Sequence, residues 1–105
     1  MKKELDLRAR PVRNVEWFEE KGLIKLRILK FRSKIGRTFC KILKRPEYFI
    51  VNLDEVGSFA WKNFDGKKSI EDIMKMIEER YGKEKAGGLS IFIKMLEKND
   101  YIRLE

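Results

Sequence analysis

Residues 46–82 read PEYFIVNLDEVGSFAWKNFDGKKSIEDIMKMIEERYG, and this stretch decides the fold. Pro46 breaks whatever precedes it. Tyr48-Phe49-Ile50-Val51 is then the strongest β signal in the chain, a run of aromatic and β-branched residues. Asn52-Leu53-Asp54-Glu55 has the spacing of a helix capping box, with Glu55 placed to reach back to Asn52. The helix it opens is expected to run to about Phe64, with Val56, Phe59, Ala60 and Phe64 on one face. Asp65-Gly66 ends it, because glycine tolerates the left-handed backbone at a helix end. Ser69 is the cap of a second helix, with Glu71 and Asp72 in the first turn, where the helix dipole favours acids. Ile70, Ile73, Met74, Ile77 and Tyr81 form its buried stripe, and Gly82 closes it.

Outward from this frame, the C-terminal part predicts a third helix from about Glu84 to Lys98, followed by Tyr101-Ile102-Arg103-Leu104 as a short extended segment. On the other side, Val15–Glu19 and the alternating Ile24–Ile28, joined by the turn chemistry of Glu20-Lys21-Gly22, predict a β-hairpin. Residues 33–44 carry apolar Ile35, Phe39, Ile42 and Leu43 at helical spacing among lysines and arginines, and are expected to form a basic amphipathic insertion. Residues 1–13, polar and broken by Pro11, are expected to be a loosely held, flexible arm. The order is strand, strand, short helix, strand, then three helices. This is an α+β arrangement: an N-terminal three-stranded antiparallel β-sheet packed on three C-terminal helices. The 105 residues predict one domain spanning 1–105.

Composition bounds the chemistry. Histidine is absent, which removes the commonest general acid/base and the commonest metal ligand. Cys40 is the only cysteine, so no internal disulfide forms, and a reducing, cytoplasmic setting is the simplest reading. Arg37, Lys41 and Lys44 surround Cys40 in sequence and favour its thiolate. With no partner base, it is read as a small core filler. No catalytic constellation and no converging metal ligands are apparent, so neither an enzyme, a metal nor a cofactor is expected. Gly87-Gly88 is not a phosphate loop, since no Lys-Ser/Thr follows it. It reads as a flexible early turn of the third helix or as a close backbone contact. No apolar run approaches the roughly 20 residues that span a bilayer.

The net charge of +8 is uneven. Between Lys25 and Arg45 stand nine basic residues and no acidic one. Such a surface attracts acidic partners, from an acidic peptide to nucleic acid.

Two features point to binding. On the third helix Leu89, Phe92, Ile93 and Leu96 form the core stripe. Ile91 and Met95 lie roughly 100° or more from its centre, with Gly88 beside Met95. The apolar surface is wider than one core contact requires. In an open three-stranded sheet, moreover, two strands are edges, and an edge strand such as Tyr48–Val51 offers unpaired backbone groups to an added peptide strand. The same edges permit a homodimer, strand-swapped or edge-paired.

At these residues the chain resembles the PqqD family, the peptide chaperones of pyrroloquinoline quinone biosynthesis. The likeness is carried by the strand into Asn52-Leu53-Asp54-Glu55-Val56-Gly57, the aromatic helix Ser58-Phe59-Ala60-Trp61, and the turn Asp65-Gly66. Ser69-Ile70-Glu71-Asp72-Ile73, Tyr81-Gly82 and the closing Leu96–Leu104 continue it. Together they cover residues 46–104; the 33–44 insertion departs from the shortest members. The resemblance implies a winged-helix-like fold. It also implies a non-catalytic recognition element that holds the leader of a ribosomally made precursor peptide and presents it to a modifying enzyme, often a radical S-adenosylmethionine enzyme. Carried onto this sequence, the peptide lies against Tyr48, Phe49, Ile50, Val51 and Asn52, with Gly88, Ile91, Lys94, Met95 and Lys98 as the helix wall. The competing reading is a winged-helix nucleic-acid binder gripping phosphates through residues 25–45. It is the weaker one, because the interior of the third helix offers no Arg, Asn or Gln to read base edges.

Overall fold

The computed structural model describes residues 5–29 and 48–105. The 33–44 insertion, Cys40 and most of the basic 25–45 region lie outside the described residues. Among the described residues the chain runs β1 (Pro11–Arg13), β2 (Glu16–Glu20), β3 (Leu23–Leu29), β4 (Tyr48–Asn52), α1 (Glu55–Lys62), α2 (Ile70–Tyr81), α3 (Lys83–Gly87), α4 (Leu89–Lys98) and β5 (Ile102–Leu104). β2, β3 and β4 form an antiparallel sheet in that order. The fold is α+β, as expected from the sequence. Its likeness to a winged helix is loose, since the sheet precedes the helices in the chain.

The β2–β3 hairpin follows from its turn. Lys21 and Gly22 both have positive φ, 53° and 80°, the backbone of a two-residue turn whose twist matches the strands it joins. Alternation along β3 then sends Ile24, Leu26 and Ile28 into the core and leaves Leu23, Arg27 and Leu29 exposed. Helix α1 packs on this strand through a buried hydroxyl. Ser58 Oγ accepts the Ile24 backbone N–H at 2.8 Å, taking a donor that the end of the ladder leaves over. Ser69 caps helix α2 as expected, and the cap is a full capping box, with Ser69 Oγ accepting from the Asp72 N–H and the Asp72 carboxylate accepting from the Ser69 N–H.

Four expectations need correction. The α1 cap is Asp54, not Asn52: its carboxylate accepts the Gly57 N–H at 2.7 Å, while Asn52 is still in the strand and bonds Lys25. The buried face of α1 is Gly57, Ala60, Trp61 and the following Phe64, one position round from the expected stripe; Val56 and Phe59 are only partly buried. The third helix is not continuous. It divides at Gly88 into α3 and α4, as two adjacent glycines weaken helical order.

The fourth correction concerns the N-terminal arm, which is tied down from residue 5 to residue 13. β1 pairs with β5 in a second, two-stranded sheet, a pairing not anticipated for either segment. The carbonyls of Ala9 and Leu7 accept the Ile70 and Glu71 N–H groups, both at 2.9 Å. The first-turn donors of a helix have no partner within it, and here carbonyls of the arm accept from two of them.

The turn between α1 and α2 makes stability depend on acid. The Lys68 ammonium, at 2.9 Å, and then the Lys67 backbone N–H hold the Asp65 carboxyl well below the usual carboxylate range. Hydrogen bonds from Ser69 lower Asp72 in the same direction. A carboxylate with a depressed folded pKa adds stability that is complete above its unfolded value and lost as pH falls through the folded one. The melting temperature is therefore expected to hold steady from pH 7 to about 5 and to drop below about pH 4. D65N is expected to lower it at pH 7 and to flatten part of the acid-side drop, which thermal melts across pH will check.

Candidate peptide-binding site

β4 is an edge strand: among the described residues it pairs with β3 alone. The direction of its backbone groups follows from one bond. The Leu53 N–H donates to the Ile24 carbonyl at 3.0 Å, just past the strand end. Antiparallel ladders alternate. The N–H groups of Val51 and Phe49 therefore face β3, and those of Asn52, Ile50 and Tyr48 face outward, unpaired among the described residues. Register with β3 sets the side chains. Val51 and Phe49 stand opposite Leu26 and Ile28 on the core side, while Tyr48, Ile50 and Asn52 share the outer face with Leu29, Arg27 and Lys25.

The outer face is tied together. The Arg27 guanidinium lies 4.2 Å from the Tyr48 ring centre and reaches the Glu16 carboxylate of β2 at 3.7 Å. Lys25 Nζ donates to Asn52 Oδ1 at 2.5 Å. Two of the three outer side chains of β4 are thus held back onto β3, and the third, Ile50, is exposed. Phe49 is exposed as well, although it sits on the core side.

The two sheet edges differ. β2 carries Glu16, Glu19 and Glu20, and Glu19 is on the core-side face, where it pairs with Lys62 at 2.9 Å. Charged side chains on an edge, above all inward-pointing ones, discourage strand addition. β4 carries no charge.

On α4, Leu89, Ile93 and Leu96 are buried and Phe92 is partly buried, as the stripe predicts. Ile91 and Met95, 74% and 49% exposed, are left over on the surface. Lys94 and Lys98 are exposed too, but they line a separate groove against Leu5, Ala9 and Leu104 of the termini. Gly88 lines a different groove of about 310 Å³, between α1 and the α3–α4 junction. Its apolar surface comes from Val56, Ala60, Ile77, Leu89 and Phe92, and its rim from Asp54, Glu84 and Lys85. It opens just beyond the end of β4.

The helix-wall residues thus fall into more than one group. Gly88 belongs to the groove by β4, Lys94 and Lys98 to the groove by the termini, and Ile91 and Met95 to exposed helix surface. In the sequence, Val56, Ala60 and Phe92 read as core only. The signal for the groove was the smallness of Gly57 and Gly88, which face it from two elements.

Among the described residues no helix is long and apolar enough to cross a membrane, and no three His, Cys, Asp or Glu side chains are grouped to hold a metal ion. An uncharged sheet edge with outward N–H groups, and an apolar groove just past its end, are features that peptide strand addition uses. Residues 40–102 match the family model described as coenzyme PQQ synthesis protein D (PqqD), and the chain belongs to the PqqD family. Comparison with curated proteins and with solved structures gave no match. Members of the family are non-catalytic accessory proteins. Membership supports a peptide-binding partner protein in the making of pyrroloquinoline quinone or of other ribosomally made, modified peptides.

Proposed function

We propose that this chain binds the leader segment of a ribosomally made precursor peptide by strand addition at β4 and presents it to a modifying enzyme of the radical S-adenosylmethionine class. The observation that carries this reading is the contrast between the edges: three glutamates guard β2, and β4 is uncharged with outward N–H groups at Tyr48, Ile50 and Asn52. Backbone hydrogen bonds along β4 supply affinity, and side-chain seats on either side of the strand supply specificity. The class of enzyme partner rests on family resemblance alone. A second copy pairing through β4 would occupy the same edge, so self-association and peptide binding compete. The nucleic-acid reading is disfavoured on α4, where Ile91 and Met95 are exposed in place of side chains that read bases.

The helix wall gives a direct test. Ile91 and Met95 are exposed, so the double variant I91S/M95S is expected to keep its stability within about 0.5 kcal/mol. Its affinity for a leader peptide encoded beside the gene is expected to fall about tenfold, as truncation of an anchoring contact does. Unchanged affinity, measured by calorimetric titration, removes these two residues from the site.

A further inference from the structure

Six glycines lie in the described residues, and four of them have a structural reason. Gly22, Gly66 and Gly82 have positive φ. At Gly57 an added Cβ would stand 3.0 Å from Asp54 Oδ1 and 3.4 Å from Phe92 Cζ, so internal packing excludes a side chain. Gly87 and Gly88 have neither reason. Neither has positive φ, and Gly88 is in the ordinary right-handed helical region at φ −76°, ψ −13°. An added Cβ meets nothing within 4 Å at Gly87, and only the Lys85 carbonyl oxygen at 3.5 Å, an ordinary contact, at Gly88. Glycine weakens a helix relative to alanine, and here the helix is interrupted at this point. Neither backbone conformation nor crowding at the Cβ position therefore requires glycine at either residue. What separates the two is position: Gly88 lines the groove by β4 and Gly87 does not.

We infer that Gly88 is a specificity-determining position, whose missing side chain leaves bare helix backbone for an apolar anchor side chain of the bound peptide to lie against. This deepens the strand-addition reading and rests on it. The groove starts at Asp54, two residues past the end of β4, so a peptide paired along β4 is delivered to its mouth. Val56, Ala60, Leu89 and Phe92 offer the occupant apolar surface. The rim sets two carboxylates, Asp54 and Glu84, against one ammonium, Lys85, which disfavours an acidic occupant. The occupant is thus an aliphatic or aromatic side chain whose immediate neighbours are not acidic.

The test uses the full chain, the variants G87A and G88A, and synthetic peptides from the short reading frames beside the gene, with the tightest binder as probe. Both variants are expected to melt about 2–6 °C higher than the parent chain. G88A is expected to bind the probe about tenfold more weakly, because an extra methyl crowds a packed contact. G87A is expected to bind within about twofold of the parent, as befits a surface change away from the contact. Alanine at the peptide's anchor is expected to shrink the G88A effect to under about threefold, the mark of a direct coupling. G88A binding as tightly as the parent overturns the inference and leaves strand addition standing. A lower melting temperature for G88A also overturns it, since the glycine then serves folding. If no peptide binds the parent chain, strand addition fails and the inference falls with it.

Discussion

I50P is expected to fold normally and to bind its peptide about 10- to 100-fold more weakly. The Ile50 N–H faces away from β3, so proline there removes no ladder bond, and edge strands tolerate proline where the N–H faces outward. What is lost is a donor that an added strand would use, at the centre of the uncharged β4 edge of the three-stranded sheet. The neighbouring F49P supplies the contrast. Its N–H faces β3, so proline there breaks the ladder and is expected to destabilise the fold by about 1–3 kcal/mol. Urea denaturation and calorimetric titration of both variants separate the two effects. If I50P binds as the parent does, the peptide does not add to β4.

The second large effect concerns the core that positions this edge. Trp61 is fully buried in α1, edge-to-face with Phe64 at 5.9 Å, and its carbonyl accepts a hydrogen bond from Arg13 at 3.3 Å. W61A is expected to cost about 3–5 kcal/mol, a large part of the ~5–15 kcal/mol that holds a small domain together. The indole Nε1 is buried without a hydrogen-bond partner among the described residues. W61F keeps an aromatic ring and removes that orphan donor, so a loss below about 1.5 kcal/mol is expected. Urea denaturation followed by far-ultraviolet circular dichroism measures both. A loss under 1 kcal/mol for W61A, roughly the average for any substitution, would mean that the site collapses around the gap and that Trp61 does not anchor α1.

Trp61 also shows where the sequence was hard to read. The buried face of α1 runs Gly57, Ala60, Trp61, Phe64, a regular helical stripe. Its first position is a glycine, which has no side chain to mark it, so the periodicity points instead to Val56 and Phe59. In α2 every stripe position carries a side chain, and there Ile70, Ile73 and Ile77 are buried, Met74 and Tyr81 pack partly buried against the core, and the Ser69 cap and the Gly82 stop agree with the structure. The three-stranded sheet was legible for a similar reason. Ile24, Leu26 and Ile28 alternate cleanly, and the Lys21-Gly22 turn sets their register.

Pairings between distant segments were not legible. β1 and β5 are three residues each and separated by nearly the whole chain. Neither has a pattern that names its partner, and the docking of Leu7 and Ala9 onto α2 uses backbone carbonyls that any sequence possesses. The capping of α1 failed on a choice between two good caps two residues apart, Asn52 and Asp54, which sheet register decided. For the candidate site, the sequence marked Ile91 and Met95 as apolar residues beyond the core stripe, and the structure exposes both. It placed Lys94 and Lys98 with them, whereas those lysines line the groove by the termini. Grooves depend on which helix neighbours which, and a helical wheel holds no such information.

The measurement that tests strand addition most directly is amide hydrogen exchange along β4, with and without a saturating leader peptide encoded beside the gene. In the free chain Phe49 and Val51 are expected to exchange slowly, through their bonds to β3, and Tyr48, Ile50 and Asn52 quickly. Bound peptide is expected to slow those three outward amides and to leave β2 unchanged. Saturable binding that leaves Tyr48, Ile50 and Asn52 exchanging as fast as before, or that protects the β2 edge instead, would contradict it.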